Sequence, residues 1–98
     1  MKIDRKQNGG DLVIALEGRL DTITAPELEK ELKTSLDGIT ALTLDFADLD
    51  YISSAGLRVL LSAHKLMMKQ GAMKVVHCSE MVRDVFDVTG FSDILTIE

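Results

Sequence analysis

The chain has 98 residues, of which 46% are hydrophobic and 28% charged. That is enough apolar material for one core in one domain, spanning residues 1–98, without disulfide or metal staples. Acids outnumber bases 16 to 11, the net charge is -5, and no basic run exceeds two residues, so neither nucleic acid nor an anionic membrane surface is an expected partner.

The chain opens on an alternating polar and apolar stretch, Lys2 to Gln7, which reads as a weak edge strand. It has no apolar core of the kind a signal peptide carries. Asn8-Gly9-Gly10-Asp11 is a turn signal. Asp11 to Leu16 follows as a strand. Its near-continuous run Leu12-Val13-Ile14-Ala15-Leu16 predicts burial on both faces of a parallel sheet.

A loop, Gly18-Arg19-Leu20-Asp21-Thr22, leads to the first helix. Thr24 and Glu27 have the spacing of a capping box. Pro26 sits in the first turn, where its missing N–H does no harm. Leu28, Leu32 and Leu36 make an i, i+4, i+8 stripe, and Asp37-Gly38 closes the helix with a residue suited to the left-handed cap.

Ala41 to Phe46 is the next strand, followed by a loop over residues 47–52. The second helix runs from Ser53 or Ser54 to Gln70 and is closed by Gly71. Leu57, Leu60, Leu61 and Met68 form its apolar face, widened by Val59, Ala63 and Leu66, with His64 on the buried side. Arg58, Ser62, Lys65 and Lys69 form a polar stripe. Met73 to Val76 is a strand. Ser79 caps a third helix, in which Val82, Val85, Phe86 and Thr89 share a face. Gly90-Phe91 ends that helix, and Ile94 to Ile97 is a last strand.

The order β-β-α-β-α-β-α-β predicts an α/β domain with a mixed, mostly parallel sheet. No stretch reaches the roughly 20 apolar residues of a membrane span. The single cysteine, Cys78, excludes an intrachain disulfide and fits a reducing, cytoplasmic setting. His77-Cys78 lacks the further ligands or base that a metal site or thiol nucleophile needs. Cys78 therefore reads as a core residue. Met67, Met68, Met73 and Met81 read as core filler, with Met67 partly exposed. No P-loop, GxGxxG or GxSxG pattern is present, so no cofactor and no catalysis are expected.

Sites in such folds collect on loops at the carboxyl ends of strands. Two loops qualify, around Asp21-Thr22 and around Ser53-Ser54-Ala55-Gly56. A serine cap on the second helix is worth about 1 kcal/mol, which accounts for one serine and not for two. Gly56 costs the helix about 1 kcal/mol relative to alanine. A small residue there reads as keeping the helix start low for an approaching surface.

Tyr51-Ile52-Ser53-Ser54-Ala55-Gly56-Leu57-Arg58-Val59-Leu60-Leu61 resembles the signature of STAS domains of the anti-sigma factor antagonist family. Gly18-Arg19-Leu20-Asp21 with Thr24-Ala25, and Leu42 to Phe46 with Leu49-Asp50, match further segments of that family. So do Gly71-Ala72-Met73 and Val82 to Asp87 with Gly90. The resemblance covers nearly the whole chain. It implies a STAS-like fold and a non-catalytic bacterial signalling protein that regulates transcription. Its unphosphorylated form would bind an anti-sigma factor that is also a serine kinase, releasing a sigma factor. Phosphorylation of Ser54 would switch binding off, and a serine phosphatase would reset it. Ser53 occupies the position where these antagonists carry aspartate, and it stands second as acceptor. Asp21, Thr22, Ser53, Ser54, Ala55, Gly56 and Arg58 are the expected partner-binding residues. The alternative the family offers is a lone STAS subunit that binds the ATPase of a membrane transporter complex.

Overall fold

A computed structural model describes residues 1–98. β1 (Lys2–Asn8) and β2 (Asp11–Leu20) form an antiparallel hairpin around Gly9-Gly10, with Gly9 at φ 61°. α1 (Ala25–Ser35), β3 (Ala41–Ile52), α2 (Ser54–Met68), β4 (Ala72–Val76), α3 (Glu80–Thr89) and β5 (Thr96–Ile97) follow. The sheet order is β1-β2-β3-β4-β5, with every pair after the first parallel. None of the helices is long and apolar enough to cross a membrane.

Each parallel crossover steps in the same direction. Crossovers of one hand that step one way must lay all their helices on one face of the sheet. The burial pattern agrees. Leu12, Ile14, Leu16, Leu42, Leu44, Phe46, Met73 and Val75 are buried, whereas Val13 is 38% exposed. The expectation of burial on both faces is therefore wrong for β2. Its apolar run is longer than its buried set, because only alternate residues meet the helices.

β2 and β3 both extend beyond the expected strands. β3 spans the predicted loop at residues 47–52. Its register against β2 slips between Ala15 and Glu17 and again between Gly18 and Arg19, with an extra β3 residue each time. Each bulge resets the alternation. Phe46, Leu49 and Ile52 thereby all face inward at a spacing of three. A period of three hides a strand from a reading that looks for a period of two.

The helices fill one core. Leu28, Leu32 and Leu36 are buried as the stripe predicts. In α2 the buried apolar side chains are Leu57, Val59, Leu60, Ala63 and Met67. Met67 is 1% exposed and Met68 70%, the reverse of the expected assignment, since residue 67 and not 68 continues the i, i+3, i+7 line from Leu60 and Ala63. Leu66 is 41% exposed, and His64 is only half-buried. On α3, Val82 and Phe86 are buried but Thr89 is exposed, with its hydroxyl turned back on the Val85 carbonyl. The Phe86 and Phe46 rings lie 6.4 Å apart.

Helix ends differ in detail from the expectations. The Ser79 hydroxyl accepts from Val82 N, and Gly90 is left-handed at φ 82°, both as anticipated. α2 stops two residues short of Gln70. The Gln70 amide instead donates to the Leu36 and Ile39 carbonyls, which ties the end of α2 to the end of α1. Gly71 is not a left-handed cap. A Cβ there would lie 1.9 Å from the Thr40 carbonyl oxygen, so close backbone approach accounts for that glycine. The last strand is shortened to Thr96–Ile97, because residues Phe91–Asp93 form a 3-10 turn.

Candidate functional site

The carboxyl ends of β2 and β3 meet at one corner of the sheet. Arg19 pairs with Tyr51 and Leu20 with Ile52. Ser53 N donates to the Leu20 carbonyl at 2.9 Å. The two loops singled out by sequence therefore form one surface, with the starts of α1 and α2 side by side.

Asp21 organises the first loop. Its Oδ1 accepts from Ile23 N at 3.0 Å and from Thr24 N at 3.1 Å. Ala25 N donates to the Asp21 carbonyl at 2.8 Å. Thr24 has no capping bond of its own. Its hydroxyl donates to the Arg19 carbonyl and accepts from Asp21 N. The expected Thr24–Glu27 capping box is thus replaced by an Asp21-centred turn, because aspartate bonds its own backbone two and three residues on. These contacts hold the Asp21 carboxyl below its ordinary value. The Thr24 N–H is the main cause. Burial opposes the shift, while the Ile23 N–H, the Thr24 hydroxyl and Arg19 add to it.

Arg19 is committed twice. Its guanidinium lies 4.2 Å from the centre of the Tyr51 ring, and its Nε is 3.7 Å from Asp21 Oδ2. The pair couples β2 to β3 at the base of the loop.

The two serines are not equivalent. Ser53 has extended backbone at φ -100°, ψ 176°, and makes no side-chain cap. Its Oγ is shielded from water and has no hydrogen-bond partner. Neither serine therefore caps α2 through its hydroxyl, contrary to the sequence expectation. Ser54, the first residue of the helix, is exposed.

Gly56 is buried. A Cβ there would lie 2.7 Å from Leu20 Cγ and 2.9 Å from Ile52 Cγ1. The glycine lets α2 sit down on the ends of β2 and β3. Its small size serves the inner side of the helix and not the solvent side.

Thr22, Ala55 and Arg58, three of the expected contact residues, line one shallow depression with Ala25, Pro26, Glu29 and Val59. Its volume is about 170 Å³. A hollow of that size and openness suits a protein surface better than an enclosed substrate. Three residues here lie outside the expected partner-binding set. Arg19 and Tyr51 reveal themselves only through their mutual contact. Ile23 is 84% exposed, and its signal was available: a lone large apolar residue between two threonines, outside any helical stripe.

Partway along β3, where β4 ends, the His77 ring nitrogen lies 3.0 Å from Asp45 Oδ1. The Asp45 carboxyl is lowered: burial would raise it, but the Ala47 N–H and His77 outweigh that. Cys78 is half-buried against the core, and burial pushes its thiol up, with Arg83 acting in the opposite sense. Such a thiol is poorly suited to nucleophilic work.

Comparison with known proteins gives one family. A family model described as "STAS domain" matches residues 2–98. BtrV, a candidate anti-sigma factor antagonist of Bordetella bronchiseptica, is 39% identical over 99% of this chain and 85% of its own length. The anti-sigma-B factor antagonist of Bacillus subtilis is 33% identical over 99% of this chain and 90% of its own. Among solved structures, the crystal structure of an anti-sigma factor antagonist from Mycobacterium paratuberculosis has a TM-score of 0.88 at 24% identity. It covers 98% of this chain and 83% of the other, a likeness of fold.

Proposed function

The chain belongs to the STAS domain family, and on that premise we propose that it is an anti-sigma factor antagonist switched by phosphorylation of Ser54. The unphosphorylated form binds an anti-sigma factor in the cytoplasm and so frees a sigma factor. That anti-sigma factor is a serine kinase. It transfers the terminal phosphoryl group of ATP to Ser54 Oγ, the hydroxyl proton leaves and ADP is released. A serine phosphatase hydrolyses the ester and restores binding. The chain itself is a binding module and performs neither step.

One observation carries the reading. Ser54 is exposed at the first turn of α2, while the neighbouring Ser53 hydroxyl is out of reach of solvent. A kinase needs an accessible hydroxyl, so the acceptor is Ser54, and the serine in the aspartate position is no rival. The surface around it is shallow and carries Thr22, Ala55 and Arg58. Asp21 stands on the adjoining loop, fixed by its own backbone bonds.

The physics of switching follows. A phosphate adds about -1.5 to -2 charges at neutral pH. On an exposed first turn it is compatible with the fold, since orphan N–H groups favour an anion there. Inside a docked interface the same charge loses its water, with Asp21, a like charge, on the adjoining loop. Binding is lost while folding is kept.

The test is incubation of the chain with its anti-sigma factor and ATP, site mapping by mass spectrometry, and binding measured before and after. Phosphate on Ser54 with loss of binding is expected. No phosphate on Ser54, or equal binding by Ser54→Ala and Ser54→Asp, would overturn the proposal. The names of the curated relatives favour this reading over the transporter subunit.

A further inference from the structure

Arg58 stands four residues after Ser54 in the same helix. Side chains at i and i+4 are neighbours on a helix surface, with Cβ atoms about 5–6 Å apart. An anion placed N-terminal to a cation is the favourable order. Arg58 is exposed and lines the depression beside Ala55. It makes no ion pair; Glu29, which lines the same depression, lies 3.2 Å from Lys33. The other arginine at this corner, Arg19, already holds the Tyr51 ring and Asp21. Of the two, only Arg58 has an uncommitted guanidinium.

We infer that Arg58 is the internal receptor for the phosphate on Ser54, so that modification closes an ion pair along α2 and draws Arg58 away from the depression. The inference rests on Ser54 being the modified residue. It adds a second consequence to the switch. Phosphorylation brings in a negative charge and at the same time takes a cation off the docking surface. A guanidinium meets a phosphate with two parallel N–H donors, which an ammonium does not offer. Lysine at 58 would keep the charge but not the fork.

The charged groups on the elements around this helix start are Arg58 on its own helix, Glu29 on α1, Asp21 on the β2–α1 loop and Arg19 near the end of β2. The acids raise the second phosphate pKa and the arginines lower it. The experiment installs phosphoserine at position 54 during synthesis, without any kinase. Phosphorus NMR then follows the phosphate titration in the otherwise unchanged chain and in the Arg58→Ala, Arg58→Lys and Arg19→Ala variants.

Arg58→Ala should raise the second phosphate pKa by about 0.2–0.4 unit. Arg58→Lys should recover part of the shift, and Arg19→Ala should move it less than Arg58→Ala does. An unchanged titration in Arg58→Ala would overturn the inference. So would a larger shift from Arg19→Ala, which would make Arg19 the receptor. Because the phosphate is installed chemically, these outcomes are independent of the kinase assay. Failure of the kinase to modify Ser54 would strike the proposed function and leave the ion pair measurable.

Discussion

Ser53 and Ser54 are adjacent in sequence and opposite in environment: the Ser53 hydroxyl is shielded and unbonded, and Ser54 is exposed. The cause is the register at the end of β3. The Ser53 backbone is still held to the Leu20 carbonyl, while Ser54 is already the first residue of α2. Removing a buried hydroxyl that has no partner leaves nothing unsatisfied behind. Ser53→Ala is therefore expected to be neutral or to stabilise the fold by about 1 kcal/mol in a denaturant titration. In the kinase assay that tests the proposed function, Ser53→Ala should keep full phosphorylation, whereas Ser54→Ala should lose it entirely.

Gly56 and Gly71 should both fail as alanines, to different degrees. At Gly56 the new methyl meets the Leu20 and Ile52 side chains, which can shift at a cost. Overpacking of that kind costs about 1–3 kcal/mol, partly offset by the better helix propensity of alanine. At Gly71 the obstacle is the Thr40 backbone carbonyl, which also accepts from Ala72 N at 2.9 Å. Gly71→Ala should be the more damaging change. Urea unfolding midpoints of the two variants decide the order. A Gly56→Ala protein as stable as the parent but defective in binding would instead place the glycine in the interface.

Acid should act on Asp21. Its folded pKa lies below 3.8, so its contribution to stability is complete above the unfolded value. That contribution disappears as the pH falls from there through the folded value. The parent chain should lose stability more steeply than Asp21→Asn as the pH falls below about 4. Asp45, also lowered, adds to the same window in both proteins and cancels from the comparison. Melting temperatures across this range check it. Equal slopes would mean that the Asp21 turn contributes little.

Ile23 offers a separation of binding from folding. At 84% exposure it contributes almost nothing to the core. It stands in the Asp21–Thr24 turn beside the depression, where a partner would cover it. Ile23→Asp is expected to weaken anti-sigma factor binding at least about tenfold. Stability should move by no more than about 0.5 kcal/mol. Calorimetric titration alongside thermal melting reads both quantities on one sample.

Much of the fold was legible because its signals are local. The Leu28-Leu32-Leu36 stripe, Pro26 in the first turn, the Ser79 cap and the Asn8–Asp11 turn each depend on a few adjacent residues, and they stand where expected. The extension of β3 was not legible, because its two bulges replace alternation by the Phe46-Leu49-Ile52 spacing. The Thr24–Glu27 box was misread because the competing carboxylate, Asp21, lies before the helix and bonds the same backbone first. The Met67 and Met68 assignments were exchanged because a hydrophobic pattern that is apolar on several sides leaves helix rotation open. Packing against the sheet settles it.

The sequence alone determined the alternation of strands and helices and, through a motif of consecutive residues, the family to which the chain belongs. Those properties follow from short-range chemistry that each segment carries with it. Only the tertiary structure decided that the helices share one face, that Gly56 looks inward, and that one hydroxyl of the Ser53-Ser54 pair is sealed while the other is open. It also decided that Arg19 is taken and Arg58 is free. Each of these depends on which distant segments meet, and that is fixed by the crossovers and bulges that bring the ends of β2 and β3 together.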